Sequence, residues 1–296
     1  MTGGAPKTWS TPITPETTVT VPCPLCSGRR FAPEWDCGGF AYVRCRGCGL
    51  LQMNPQPALE AVAARYGERH GADYLAYELA NEPAFLALQR LTLADLGFPD
   101  LEAGLKAAAA ARGKPPAVLD VGCATGALLA DLRDRGWDAR GVELCAPSAA
   151  YARSARGLDV RACSLEAAAW PEAAFDLVHA SHLIEHLNAP RAFLDEVRRV
   201  LAPGGRLIVT TPNAAGWQAR WFGPAWRSAI FDHLYLFSLK TLNAMLAAAG
   251  FRVERRITWG GLAAGAAPPA LKKIADPLAK RLGGGDVMAI LAARTD

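Results

Sequence analysis

The stretch VLDVGCATGALL, Val118 to Leu129, decides the fold. Apolar residues run into Asp120, a glycine turn follows, and the rest has helical composition. This is strand, tight turn and helix N-terminus. Backbone N–H groups point outward at such a turn, and glycine lets a ligand approach the main chain. A phosphate loop needs G-x-x-x-x-G-K-[ST], but Gly126 is followed by Ala127 and Leu128. The dinucleotide fingerprint needs G-x-G-x-x-G, but here Gly122 and Gly126 are separated by three residues with Ala124 at their centre. No Lys or Arg lies between Val118 and Asp131 to neutralise a pyrophosphate. The turn therefore suits a ligand with a nucleoside part and little negative charge.

Two acids extend that reading. Asp120 ends the first predicted strand and Glu143 ends the next, DARGVEL. An acid about 20 residues beyond the first glycine, at the tip of the second strand, suits a pair of ribose hydroxyls. S-adenosylmethionine fits: it has a ribose, no phosphate, a sulfonium and an ammonium group.

VLDVGCATGALLADLRDRGWDARGVELCAPSAAYAR resembles the cofactor half of class I S-adenosylmethionine-dependent methyltransferases. FDLVHASHLIEHLNAPRAFLDEVRRVLAPGGRLIVTTPN resembles their strand-four to strand-five region, and the likeness covers roughly Pro115 to Val253. The resemblance implies that Gly122 and Gly126 carry the cofactor loop, Asp120 lies near the methionine end and Glu143 binds the ribose. Cys123, Leu165 and Ser181 complete the expected cofactor pocket, with Leu165 packing on the adenine. Two departures stand out. Ala124 replaces a common glycine, and ACSLEA lacks the Asp that often binds adenine near Ser164.

The chain has 296 residues, 51% hydrophobic and 20% charged, enough for one large domain with small attachments. A net charge of +4 gives no strong case for nucleic acid or a membrane surface. No apolar run reaches transmembrane length, and residues 1–20 read as a flexible tail rather than a signal peptide. Eight cysteines without a secretory signal point to a reducing cytoplasm.

Cys23 and Cys26 form one C-x-x-C pair and Cys45 and Cys48 another, eighteen residues apart, the spacing of a four-cysteine zinc ribbon. Cys37 is the only competing ligand between them. Four thiolates leave no open position, so the expected zinc is structural. Cys145 and Cys163 are read as core or cofactor-pocket residues.

The predicted organisation is a ribbon over residues 21–56, a helical lid and linker over 57–112 with Tyr66, Tyr74 and Tyr77 on the lid, and the cofactor-binding domain over 113–296 with a helical insertion at 259–285. Strands are expected at Ala117–Val121, Ala139–Glu143, Val160–Ala162, Asp176–Ala180 and Arg206–Thr210, alternating with helices. One of those helices runs through Leu201 and stops at Pro203-Gly204-Gly205. FRVERRIT and DVMAILAAR read as two closing strands. The fold class is α/β, a doubly wound, mostly parallel seven-stranded sheet with a small N-terminal zinc ribbon.

Ligands of such sheets sit beyond the carboxyl ends of the strands. After strand four, His182, Glu185 and His186 spell H-x-x-E-H, an inverted zinc-protease signature that here follows a buried strand instead of lying on a long helix. In the resembled ubiquinone-pathway enzymes, acids and a histidine at this place hold a divalent metal. Here His182 stands where an acid would be, and Glu185 and His186 are expected to fix the loop by hydrogen bonds. After strand five, seven of the chain's 24 aromatics lie between Gly216 and Phe237, read either as an apolar acceptor pocket or as rings pinning a lid. His233 follows that run, shortly before Ser238, a predicted N-cap, and is the leading candidate for a catalytic base. His182 is the second.

The functional expectation is methyl transfer from S-adenosylmethionine to a small-molecule acceptor, most readily at oxygen. Two rivals are weighed. One is a ribosomal-RNA base methyltransferase using the ribbon's Arg29, Arg30, Arg44 and Arg46. The other is a non-catalytic binding protein with the same fold. Neither a membrane nor a nucleic acid is an expected partner.

Overall fold

Alternation of buried strands and amphipathic helices builds the core around VLDVGCATGALL. The computed structural model describes residues 18–58, 68–261 and 269–295. Most of the expected tail and Tyr66 of the expected lid lie outside the described residues. The first elements are β1 (Thr18–Val19), β2 (Phe31–Asp36), β3 (Ala41–Cys45), β4 (Leu51–Met53), β5 (Gln56–Pro57), α1 (Glu68–Asp95) and α2 (Phe98–Ala111). Then come β6 (Ala117–Val121), α3 (Ala127–Asp134), β7 (Asp138–Val142), α4 (Ala146–Arg156), β8 (Asp159–Arg161), β9 (Phe175–Ser181), α5 (Pro190–Val200) and β10 (Leu201–Pro212). The chain closes with α6 (Trp217–Phe222), β11 (Tyr235–Leu236), α7 (Leu239–Ala248), β12 (Phe251–Trp259), α8 (Pro269–Leu282) and β13 (Val287–Arg294).

Seven strands form one sheet in the order β12-β13-β10-β9-β6-β7-β8. The five from β10 to β8 run parallel, and β13 is antiparallel to both its neighbours. All five residues of β6 and six of the seven of β9 are buried, as central parallel strands covered on both faces must be. The order turns back between β6 and β9, so the crevice for a ligand opens beyond Val121 and Ser181.

One helix end differs from expectation. α5 stops at Val200, and Leu201 already pairs with Phe175 in the sheet. Leu201 fits the helix's apolar spacing, but it is equally suited to a buried strand, and its carbonyl is taken by the Arg294 guanidinium. α7 begins as expected: Ser238 Oγ accepts from Thr241 N at 3.2 Å, and the Thr241 hydroxyl accepts from Ser238 N at 2.9 Å, a reciprocal cap.

A second sheet has the order β11-β4-β3-β2. Its outer strand β11 comes from the far end of the chain, between β10 and α7, and pairs Tyr235 with Gln52 and Leu236 with Leu51. The cysteine-rich segment is therefore sewn into the larger domain. Among the described residues no helix is long and apolar enough to cross a membrane.

Candidate active site

A cavity of about 1170 Å³ opens at the carboxyl ends of β6, β7, β9 and β10 and runs beneath α1. Gly122, Glu143, Leu165, Ser181 and His182 all line it. The turn after β6 is left-handed at Gly122 (φ 74°), Ala124 (φ 48°) and Gly126 (φ 76°). Ala124 is the unusual member, because a Cβ is disfavoured there. It is held by its N–H, which donates to Glu143 Oε2 at 2.9 Å. Glu143 Oε1 accepts from Cys145 N at 2.8 Å, so the carboxylate braces the turn while lining the cavity. Burial pushes its carboxyl up, against the pull of those two backbone donors.

Three predicted cofactor residues do not line this cavity. Asp120 Oδ1 lies 2.7 Å from His179 Nδ1, its register neighbour on β9, and both are buried. Cys123 turns into the space left by Gly141, where a Cβ would meet its sulfur at 2.7 Å. Gly126 caps α3, and a Cβ there would strike Leu158 at 2.6 Å, so close packing as well as φ demands glycine.

Helix α1 covers the turn. Tyr74, Tyr77, Glu78, Phe85 and Gln89 line the cavity from above. Glu82 reaches across to Thr125 Oγ1 and the Arg156 guanidinium, tying α1 to the turn and to α4. Burial raises the Glu78 carboxyl, and the charges of Glu143 and Glu82 raise it further. Among the described residues this half of the cavity carries Asp73, Glu78, Glu143 and Glu166 but no Lys or Arg. Such a lining suits a cationic nucleoside ligand and disfavours a phosphate.

The other side of the cavity begins at His182, in a left-handed conformation (φ 52°) directly after β9. Its Nδ1 lies 3.3 Å from Glu185 Oε1. Glu185 is fully buried, and its Oε2 accepts from Thr211 Oγ1 at 2.9 Å. Burial alone would raise this carboxyl. The contact with His182 and the charges of His186, His182 and His233 hold it instead at about 2.

His233 does not line the cavity. It is buried, its Nδ1 is 2.8 Å from Ser228 O, and its ring lies 4.7 Å from that of His186 in an edge-on contact. Burial and the neighbouring His186 lower its pKa to about 4. The expectation that His233 faces an acceptor is corrected by this geometry: His186 lines the cavity and His233 does not. Glu185, His186 and His233 each bring one ligand atom within 4.8 Å of the others, close enough for a shared cation.

The aromatic run also reads differently in space. None of its seven rings lines the cavity. Trp226, Tyr235 and Phe237 are buried in the core, and Trp221 and Phe222 are exposed. Trp226 packs on Trp35 and Phe231 on Phe40, so the rings serve the contact with the cysteine-rich sheet. That sheet holds Cys23, Cys26, Cys45 and Cys48 with all four sulfurs within 4.8 Å of one another. Tetrahedral zinc–thiolate bonds of about 2.3 Å require sulfurs about 3.8 Å apart, so the donors fit zinc. Cys37 is not in the cluster; its sulfur faces Pro224 O.

The profile of the methyltransferase domain family matches residues 96–255, more than half of the chain. The chain belongs to the class I S-adenosylmethionine-dependent methyltransferases. It is 34% identical over 102 residues to the ubiquinone biosynthesis O-methyltransferase of Idiomarina loihiensis, covering 32% of this chain and 42% of that one. It is 32% identical over 184 residues to the demethylmenaquinone methyltransferase of Thermus thermophilus, covering 51% of this chain and 80% of that one. The chain thus spans less than half the length of the first relative. The solved 1,6-didemethyltoxoflavin-N1-methyltransferase of Burkholderia thailandensis, with S-adenosylhomocysteine bound, shares the fold. Its TM-score is 0.52 at 19% identity, over 89% of this chain and 99% of that one.

In this methyltransferase Tyr74 and Tyr77 were expected on the lid, and the lining residues that sequence reasoning missed, Glu78, Phe85 and Gln89, sit beside them on α1. Tyr74, Glu78, Phe85 and Gln89 follow one another at four- and seven-residue steps, which is one helical face. That spacing was readable, but the face mixes acids with rings and so lacks the apolar stripe that marks a buried helix.

Proposed function

We propose that this methyltransferase transfers a methyl group to a hydroxyl oxygen of a small-molecule acceptor, with His182 as the base. The observation that carries the reading is the pairing of cavity-lining His182 with buried Glu185. A carboxylate behind an imidazole orients the ring and stabilises the imidazolium formed when it accepts a proton. The left-handed backbone at His182 is the kind of local strain that functional positions retain.

S-adenosylmethionine, when bound, supplies a methyl group already activated by its sulfonium. The chain's own tasks are alignment and proton removal. Glu143 would bind the ribose hydroxyls with the lone pairs that its backbone donors leave free. Gly122 would allow close approach to the main chain, and Leu165 would pack on the adenine. Glu78 would face the positive end of the cofactor. His182 then takes the hydroxyl proton of the acceptor as that oxygen attacks the methyl carbon. Among the described residues, Arg227 is the only Lys or Arg lining the cavity. Its Nε is occupied by Asp286, which leaves its terminal nitrogens for an oxygen-rich edge of the acceptor.

The four cysteines would hold one structural zinc, and eight cysteines without a disulfide suit a reducing compartment such as the cytoplasm. The RNA reading has less support, because the aromatic face of the ribbon is spent on contact with the larger domain. The test is transfer of labelled methyl from S-adenosylmethionine to a panel of catechol and phenol acids. Labelled ethers with the natural protein, and their loss with His182→Asn, are expected. Label in RNA instead of the small molecules would overturn the reading.

A further inference from the structure

We propose that the four-cysteine ribbon builds the acceptor-side wall of the cavity, and that Tyr42 is the positioning residue that holds this wall. This rests on the reading of the His182 side as the acceptor half.

The segment 226–237 contributes Arg227, Asp232 and Leu234 to the cavity. It has little regular structure of its own, only the two residues of β11. Three of its carbonyls, those of Ile230, His233 and Leu234, face donors of the ribbon. Tyr42 OH lies 2.7 Å from His233 O and 2.8 Å from Ile230 O. Met53 N donates to Leu234 O at 2.9 Å, and β11 continues the ribbon sheet through Tyr235 and Leu236. Around Tyr42, Trp35 and Phe40 stand edge-on to it and reach Trp226 and Phe231 of the segment. Tyr42 is fully buried, so its hydroxyl is unpaired if the segment moves away.

The segment in turn sets the turn after β9. Leu234 N donates to Glu185 O at 2.8 Å, and Asp232 O lies 2.9 Å from His186 Nδ1. A continuous path therefore runs from the cysteine cluster along β3, where Cys45 and Tyr42 lie on one strand, through the segment to Glu185 and His186. The cofactor turn after β6 has no part in it. Coupling between sites needs such a contiguous set of packed and hydrogen-bonded groups. A thiolate cluster that only stabilised a free-standing module would not need a strand and two carbonyls from the catalytic domain.

The test is nitrogen-15 NMR of the histidine rings in the full chain, with Tyr42→Phe as the variant, which removes one hydroxyl and no packing volume. The expected result is displaced ring signals for His186 and His233 and an unmoved signal for His179, which is bound to Asp120 on the sheet. Affinity for S-adenosylhomocysteine should stay within about twofold. Stripping the ribbon metal with a chelator should displace the same two signals. Unmoved His186 and His233 signals in Tyr42→Phe would overturn the proposal, as would displacement of all three. Loss of methyl transfer in His182→Asn is read separately, so failure of the base assignment and failure of this one are distinguishable.

Discussion

Nδ1 of His182 lies 3.3 Å from Oε1 of Glu185, with the imidazole on the cavity wall and the carboxylate wholly buried behind it. His182 directly follows the buried strand β9, three residues before Glu185, and Glu185 is held by Thr211 of β10. The pair puts a proton acceptor at the open edge of the sheet and its counter-charge in the core.

From this pair, His182→Asn is expected to lower kcat by about 10²–10⁴, the usual worth of general-base help. Glu185→Gln should also lower kcat, by misorienting the ring. Steady-state kinetics on any acceptor found in the phenol panel checks this. Near-normal kcat in His182→Asn would leave alignment alone to carry the reaction.

His233 gives a pH prediction. Its folded pKa is about 4, against an ordinary value of 6.5, because burial disfavours the charged ring. The unfolded chain therefore binds more protons between these values, and stability rises with pH across the window. As pH falls from about 6.5 to 4, this residue should remove about 3 kcal/mol of stability, and above 6.5 it contributes no slope. Glu185, held near 2, acts lower, where its stabilisation is lost as pH falls from about 4.5. Urea midpoints measured at pH 7, 5.5 and 4.5 should fall, and the fall should shrink in His233→Asn.

The positions of the parallel strands and the glycine turn were legible because apolar runs and turn residues are local signals. Glu143 was legible for the same reason, as an acid at a strand tip. The fate of His233 was not. Whether a side chain faces a cavity or the wall behind it depends on the Tyr42 and Ser228 contacts, which join residues far apart or set a local rotation that no periodicity records. The aromatic run misled for a related reason. Ring density signals burial, but Trp35 and Phe40, nearly two hundred residues earlier, decided what the rings were buried against.

Glu78 should distinguish the charged cofactor from its neutral product. Glu78→Gln is expected to weaken S-adenosylmethionine several-fold and S-adenosylhomocysteine less, since only the former carries the sulfonium. Parallel calorimetry on both ligands checks this, and equal losses would assign Glu78 to packing.

The cysteine cluster should yield one zinc per chain in protein purified without added metal. Elemental analysis giving under half an equivalent, or zinc retained after Cys45→Ala with Cys48→Ala, would count against the ligand set.

The division of the cavity into a cofactor half under Glu143 and an acceptor half at His182 is tested most directly by calorimetric titration with S-adenosylhomocysteine, because no acceptor is needed. Hydrogen bonds to a charged group are worth roughly 1.5–3 kcal/mol, so Glu143→Ala should bind about tenfold to a hundredfold more weakly. His182→Asn should bind as the natural protein does. Unchanged affinity in Glu143→Ala, or a comparable loss in His182→Asn, would contradict that division.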